Sequence, residues 1–117
     1  MSTTSSMLDR MTTYDAYRWA LELFELQDYY RAAEVLQHVV DADPAAPGLG
    51  EVRELLARSY YHSAQVGRAA EAARELLLHE PTNAYAALLL ARSLERGSRR
   101  EEADRARRLA VALGAPA

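Results

Sequence analysis

The sequence contains no cysteine, no lysine and no long hydrophobic run. The absence of cysteine excludes disulfides, thiolate metal sites and a cysteine nucleophile. The longest apolar run, residues 84–91, is far shorter than the ~20 residues that span a bilayer, so we expect no membrane partner. The first residues also lack the charged start and apolar stretch of a signal peptide, so we expect a cytoplasmic protein.

Glycine and proline are scarce as well, with five and four residues that cluster between apolar segments. Alanine, by contrast, occupies 23 of the 117 positions. Because alanine has the best helix propensity and lets helices approach closely, this composition favours an all-α fold. A chain of this length is sufficient for one domain with a modest core.

Charge is weakly negative overall and uneven along the chain. The net charge is -3, and all fourteen basic residues are arginine. Such a balance gives no general drive toward nucleic acid, so we expect no nucleic-acid partner. The arginines between residues 99 and 108 alternate with Glu101, Glu102 and Asp104. We interpret this segment as a solvated surface, and contact with an acidic partner or nucleic acid is the alternative.

One sequence motif, called the repeated phrase below, recurs along the chain. Residues 29–44 read YYRAAEVLQHVVDADP, residues 66–81 read VGRAAEAARELLLHEP, and residues 99–110 carry a weaker copy. Pro44 and Pro81 are 37 residues apart, which equals a 34-residue unit with a three-residue insertion after Pro44. Apolar spacing predicts six amphipathic helices. Their predicted bounds are 14–26, 29–42, 50–63, 66–79, 83–96 and 99–113.

This pattern resembles the tetratricopeptide repeat, a 34-residue helix–turn–helix unit with small residues at the helix crossings. The residues that match the family's pattern are Trp19, Ala20, Leu23, Tyr29, Ala32, Leu36, Val39 and Pro44 in the first unit, Leu56, Ala57, Tyr60, Val66, Ala69, Ala73, Leu76 and Pro81 in the second, and Leu90, Ala91, Leu94, Ala103 and Ala110 in the third. The family's signature tryptophan is absent, since Ala16, Arg53 and Ala87 stand in its place.

The resemblance implies a right-handed α-solenoid of three helix–turn–helix units, six helices in all. We expect a flexible N-terminal tail over residues 1–12 and a single repeat domain over residues 13–117. The expected units cover about 13–46, 50–83 and 84–117. Stacked pairs are needed because one helical pair cannot bury its apolar face alone.

The resemblance also implies a concave groove along the first helices of the units. Family phase and helical spacing place thirteen residues on its face: Tyr14, Tyr17, Arg18, Leu21, Phe24, Leu55, Arg58, Tyr61, His62, Tyr85, Leu88, Leu89 and Arg92. Tyrosine, leucine and phenylalanine alternate there with one arginine per unit, which is typical of a binding surface. The alternative is that these apolar residues are ordinary core.

We therefore predict a non-catalytic adaptor that binds a peptide or helix of another protein in this groove. Arg18, Arg58 and Arg92 would pair with acidic groups of that partner. Two alternatives stay open. One is a self-associating module, a homo-oligomer such as a homodimer, because Leu109, Val111 and Leu113 in the last helix pair lack an obvious cover. The other is a small chaperone for a secreted partner, which rests on fold resemblance alone.

No residue pattern indicates catalysis or metal binding. His38, His62 and His79 do not pair at three- or four-residue spacing on one helix, so a helical metal site is not expected. Gly48 and Gly50 lie in a loop without a preceding strand or a lysine, which excludes a phosphate-binding loop. We predict no enzyme activity, no metal and no cofactor.

Overall fold

The computed structural model describes residue 8 and residues 10–116 of the chain. Within this part six α-helices have described bounds, Leu8 and Arg10 are also helical, and no residue lies in a strand. The helices are α1 (Thr13–Glu25), α2 (Tyr29–Ala42), α3 (Gly50–His62), α4 (Val66–His79), α5 (Ala84–Arg96) and α6 (Arg100–Ala112). The predicted all-α fold is confirmed, and each predicted helix end lies within one residue of the observed one.

The helices pack in the order of the chain, which gives an elongated stack of pairs. Each helix contacts the next, and α3 also contacts α5. The described residues extend over 41 × 27 × 22 Å. This order of contacts is that of a helical repeat, in which each unit packs mainly on its neighbours.

Small residues let the two helices of each pair approach closely. Six alanines at the expected crossings are at most 1% exposed: Ala20, Ala32, Ala57, Ala69, Ala91 and Ala103. Large side chains then fill the space beside them, and Leu36, Leu76 and Leu94 are also nearly fully buried. Because the interior is close-packed, a larger residue at one of the alanines would force its helices apart.

The turn inside each pair has the same backbone form in all three units. Gln27, Ala64 and Ser98 have φ values of 63°, 62° and 61°. In the second unit the N–H of Gln65 donates to the carbonyl of Tyr60 at 2.9 Å, and equivalent bonds close the other two turns. This is the helix ending that usually carries glycine, because other residues are strained at positive φ.

Arg53 stands where the family carries a tryptophan, and it is buried. Its side chain is 6% exposed, and its Nη2 donates to the carbonyl of Pro44 at 2.7 Å. A buried charged group needs such a partner, since an unpaired one is costly. The bond ties α3 to the loop that joins the first two units, which is where the three-residue insertion falls.

The predicted flexible tail falls mainly on residues outside the described part of the chain, and there it stays a prediction. Leu8 lies within that range, and it is only 6% exposed. It belongs to the core cluster that joins the first and second units, with Met11 packed against the same cluster. Leu8 therefore contributes to the core, although the predicted domain boundary at residue 13 places it outside the domain.

Candidate partner-binding surface

The structure divides the thirteen predicted groove residues into three groups by exposure. The exposed ones are Tyr14, Arg18, His62, Tyr85 and Arg92. The half-buried ones are Tyr17, Leu21, Phe24, Arg58 and Tyr61. The buried ones are Leu55, Leu88 and Leu89, with exposures of 3%, 9% and 3%.

The buried group corrects the sequence-based placement. Leu55, Leu88 and Leu89 belong to core clusters, so their side chains pack between helices rather than on an open face. For these three residues the placement on the groove face is wrong, and the alternative of ordinary core holds. Leu88, Leu89 and Leu90 are all buried although successive helical residues point about 100° apart, so α5 is covered on more than one side.

Four rings from three helices meet beside the buried leucines. Phe24 of α1, Tyr29 at the start of α2, and Tyr61 and His62 at the end of α3 form what we call the ring cluster. The ring centroids of Tyr29 and His62 lie 4.9 Å apart in a stacked arrangement. Phe24 meets Tyr29 at 4.9 Å and His62 at 5.6 Å, both edge to face, and Tyr61 meets His62 at 5.7 Å.

Two arginines lie over the rings of this cluster. The guanidinium of Arg58 is 4.7 Å from the centroid of Phe24, and that of Arg96 is 4.8 Å from the centroid of Tyr61. Arg96 also donates to the carbonyl of Tyr61 at 3.3 Å. These distances are within the range of cation–π attraction. A third pair, Arg18 over Tyr14 at 5.9 Å, lies at the first end of the same row of helices.

Neither Arg58 nor Arg96 has a carboxylate within 4 Å among the described residues. The ion pairs found there lie elsewhere and join Arg74 to Glu102, Arg99 to Glu102, and Arg107 to Glu95. Two of them link α6 to α4 or α5 and support the fold. Arg58 and Arg96 therefore present charge that no carboxylate of the described residues neutralises by direct pairing.

The electrostatic environment changes along α3. Burial, followed by the charges of Arg58 and Arg96, holds the pKa of His62 below its ordinary value, so the neutral ring is favoured. Burial, followed by the carboxylates of Glu51 and Glu54, raises the pKa of Tyr17, against the opposing charge of Arg58. The start of α3 is thus acidic and its end is basic.

Sequence reasoning missed Tyr29 and Arg96. Tyr29 was assigned only a packing position of the repeat, yet its ring stacks on His62. Arg92 was expected to complete the row of arginines, but Arg96 is the one that lies over Tyr61. The available signal was helical spacing, because Arg96 follows Arg92 by four residues and so shares its side of α5.

A cleft that the sequence did not predict is lined by residues of α2, α3 and α4. This cleft has a volume of about 870 Å³. Some of its polar groups have partners, since the hydroxyl of Tyr60 donates to Oε1 of Gln37 at 2.8 Å and Nη2 of Arg53 donates to the carbonyl of Pro44. Charges of both signs line it, Arg68 and Glu71 among them.

The described residues contain no group of three or more histidine, aspartate and glutamate side chains placed to hold a metal ion. In the same part of the chain, each helix is too short or too polar to cross a membrane.

Comparison with known proteins gives matches in structure only. No protein-family model matches the chain, and no curated protein matches its sequence. A mutant of MamA matches with a TM-score of 0.82 and 23% identity, over 97% of this chain and 82% of that chain. MamA AMB-1 matches with a TM-score of 0.78 and 23% identity, over 93% of this chain and 66% of that chain.

A chain in the CopN–Scc3 complex matches with a TM-score of 0.78 and 18% identity. The match covers 89% of this chain but only 61% of that chain, so this chain spans less than two thirds of its length. At such identities the likeness shows a shared fold alone. The helical-repeat fold of tetratricopeptide proteins, predicted from the repeated phrase, is confirmed.

Proposed function

We propose that this chain is a non-catalytic protein-interaction module, and that it binds a peptide or helix of another protein along the row of helices α1, α3 and α5. The observation that carries the proposal is the pairing of Arg58 and Arg96 with aromatic rings, without a carboxylate partner among the described residues. Aromatic residues and arginine dominate the energetics of protein interfaces. The partner would bring the acidic groups.

The distribution of exposed side chains over three helices supports an elongated ligand. Exposed or half-buried side chains follow one another from Tyr14 at the start of α1, through Tyr17 and the ring cluster, to Tyr85 and Arg92 on α5. Leu21, like Phe24 of the ring cluster, adds half-buried apolar area to this surface. A helix or extended peptide laid across these residues would bury apolar area, and the arginines would fix its register.

A similar fold in a protein complex also supports a protein partner. The CopN–Scc3 structure contains a chain of this fold within a complex of two proteins. Because the sequence identity is only 18%, this likeness supports a protein as the kind of partner and does not indicate which protein it is. The cytoplasmic location stays a prediction.

A second candidate is self-association through α6. Leu109 and Val111 on that helix are 41% and 47% exposed. Exposed apolar residues grouped on one helix favour a contact with a second copy. Light scattering across concentration separates the candidates: a strict monomer at high concentration contradicts self-association and leaves the adaptor proposal in place.

The adaptor proposal is tested by affinity capture from native lysate with matched tyrosine variants. Tyr14 on α1 and Tyr30 on α2 are 66% and 64% exposed, so Tyr14→Ser and Tyr30→Ser remove equal side chains of nearly equal exposure. We expect Tyr14→Ser, and more strongly Tyr61→Ser, to reduce recovery of the wild-type partner. Tyr30→Ser, on a second helix, should recover it fully. Equal recovery by all three variants would contradict the proposal.

A further inference from the structure

We propose that Arg58, Arg96 and His62 form an anion subsite within this surface, and that the subsite takes a carboxylate side chain of an acidic partner segment. The inference rests on the proposed function and makes it more specific, since it gives the chemistry of one contact. It also predicts that partner binding takes up a proton.

The geometry brings three nitrogen-bearing groups to one place. His62 contacts Phe24 at 5.6 Å and Tyr61 at 5.7 Å, and these are the two rings that carry Arg58 and Arg96. A guanidinium that lies over a ring keeps its N–H edge available for hydrogen bonds. The rings therefore hold both guanidiniums near the imidazole, whose pKa is lowered by burial and by both charges. Arg96 uses one N–H on the carbonyl of Tyr61, and the remaining N–H groups of the two guanidiniums are the donors for a ligand.

The groups that face His62 are cationic or neutral. Tyr29 stacks on it from α2, Phe24 meets it from α1, Arg58 and Tyr61 come from its own helix, and Arg96 comes from α5. No carboxylate contributes to the pKa of His62, whereas Glu51 and Glu54 act on Tyr17. A partner that covers this area would desolvate two positive charges, which favours a partner with a carboxylate there.

The imidazole makes this contact depend on pH. Burial and the two arginines disfavour the imidazolium in the free protein. A bound carboxylate would offset the arginine charges and stabilise the imidazolium, so the bound state would hold more protons than the free state. By linkage, affinity for an acidic partner should rise as pH falls below about 6.5, by up to about tenfold per pH unit for one proton.

Benzoate is the probe for this test, and benzamide is its neutral counterpart of the same shape. The pKa of His62 is measured by NMR titration of its imidazole signals, at constant ionic strength, with each compound and without it. We expect benzoate to raise the measured pKa of His62 by about 0.5 unit or more in a saturable way. Benzamide should leave it unchanged.

Two double variants with equal charge changes locate the effect. Arg58→Gln with Arg96→Gln should abolish the response to benzoate. Arg105→Gln with Arg108→Gln, which changes two exposed arginines on α6, should retain it. In the wild-type protein, a change in the pKa of His62 with benzoate that is no larger than the change with benzamide overturns the subsite. A benzoate effect that survives in the variant with Arg58→Gln and Arg96→Gln overturns it as well.

The outcome is separable from that of the proposed function. If Tyr14→Ser and Tyr61→Ser lose the partner while benzoate has no effect, the surface binds a protein but the anion subsite is refuted. If those variants keep the partner while benzoate raises the pKa of His62, the subsite stands as an anion site and the proposed function is refuted.

Discussion

Leu89→Ala decides whether Leu89 is core or groove. The side chain is 3% exposed and packs in the second core cluster with Ala57, Leu90 and Leu94. Replacing a buried leucine by alanine removes its transfer free energy and leaves a cavity, at a cost of about 2–5 kcal/mol. Domains are stable by about 5–15 kcal/mol in total, so this is a large fraction. At about 4 °C per kcal/mol, the melting temperature should fall by about 8–20 °C.

The assay is urea and thermal unfolding followed by circular dichroism. The urea midpoint should fall with an unchanged slope, because the surface exposed on unfolding stays nearly the same. Tyr14→Ala is the control, since that side chain is 66% exposed and its loss should change stability by less than about 0.5 kcal/mol. A cost for Leu89→Ala as small as that of the control would refute the core placement and restore Leu89 to the open face.

Three further changes test packing, turn strain and pH dependence. Ala57→Leu should lower the free energy of unfolding by about 1–3 kcal/mol in urea titration, because Ala57 is fully buried and its site has no room for a larger side chain; an unchanged midpoint would argue against close approach at this alanine. Ala64→Gly should raise the free energy of unfolding by about 1 kcal/mol, since Ala64 has φ 62° and glycine relieves that strain; a loss of stability would contradict the strained turn. His62 has a lowered pKa in the fold, so the unfolded chain binds more protons and stability should fall as pH drops below about 6.5. His62→Gln should reduce this dependence of stability on pH, measured by thermal melts at several pH values. An equal dependence in the variant would mean that other groups cause it.

Periodicity explains why the fold was predictable from the sequence. The repeated phrase sets the phase of the second helices, and Pro44 and Pro81 mark the ends of units. Apolar spacing and the turn residues between the segments set the helix bounds, which is why these could be predicted to within one residue. The buried alanines follow from the same phase.

The turns show a limit of reading by residue type. Gly97 is the glycine that sequence rules favour for the left-handed ending of α5, yet it has φ -85°, and Ser98 takes the position instead. The constraint comes from the unit, because Gln27 and Ala64 adopt the same conformation at the matching places. Packing of the pair overrides the preference of single residues at these three positions.

The candidate surface was less predictable for a different reason. Whether a leucine on a first helix faces the groove or the neighbouring unit depends on the angle between units, which spacing within one helix does not contain. Leu55 and Leu89 are buried, whereas Tyr61 is half-buried. The same holds for Tyr29, whose contact with His62 joins two helices.

The central claim is that a partner protein lies on the side of α1, α3 and α5, and photo-crosslinking tests it most directly. A photoreactive phenylalanine derivative is placed at Tyr61 in one variant and at Tyr30 in another, and each is irradiated in native lysate. The account predicts an adduct of higher mass from position 61 and none from position 30. An adduct from position 30 with none from position 61 would contradict it.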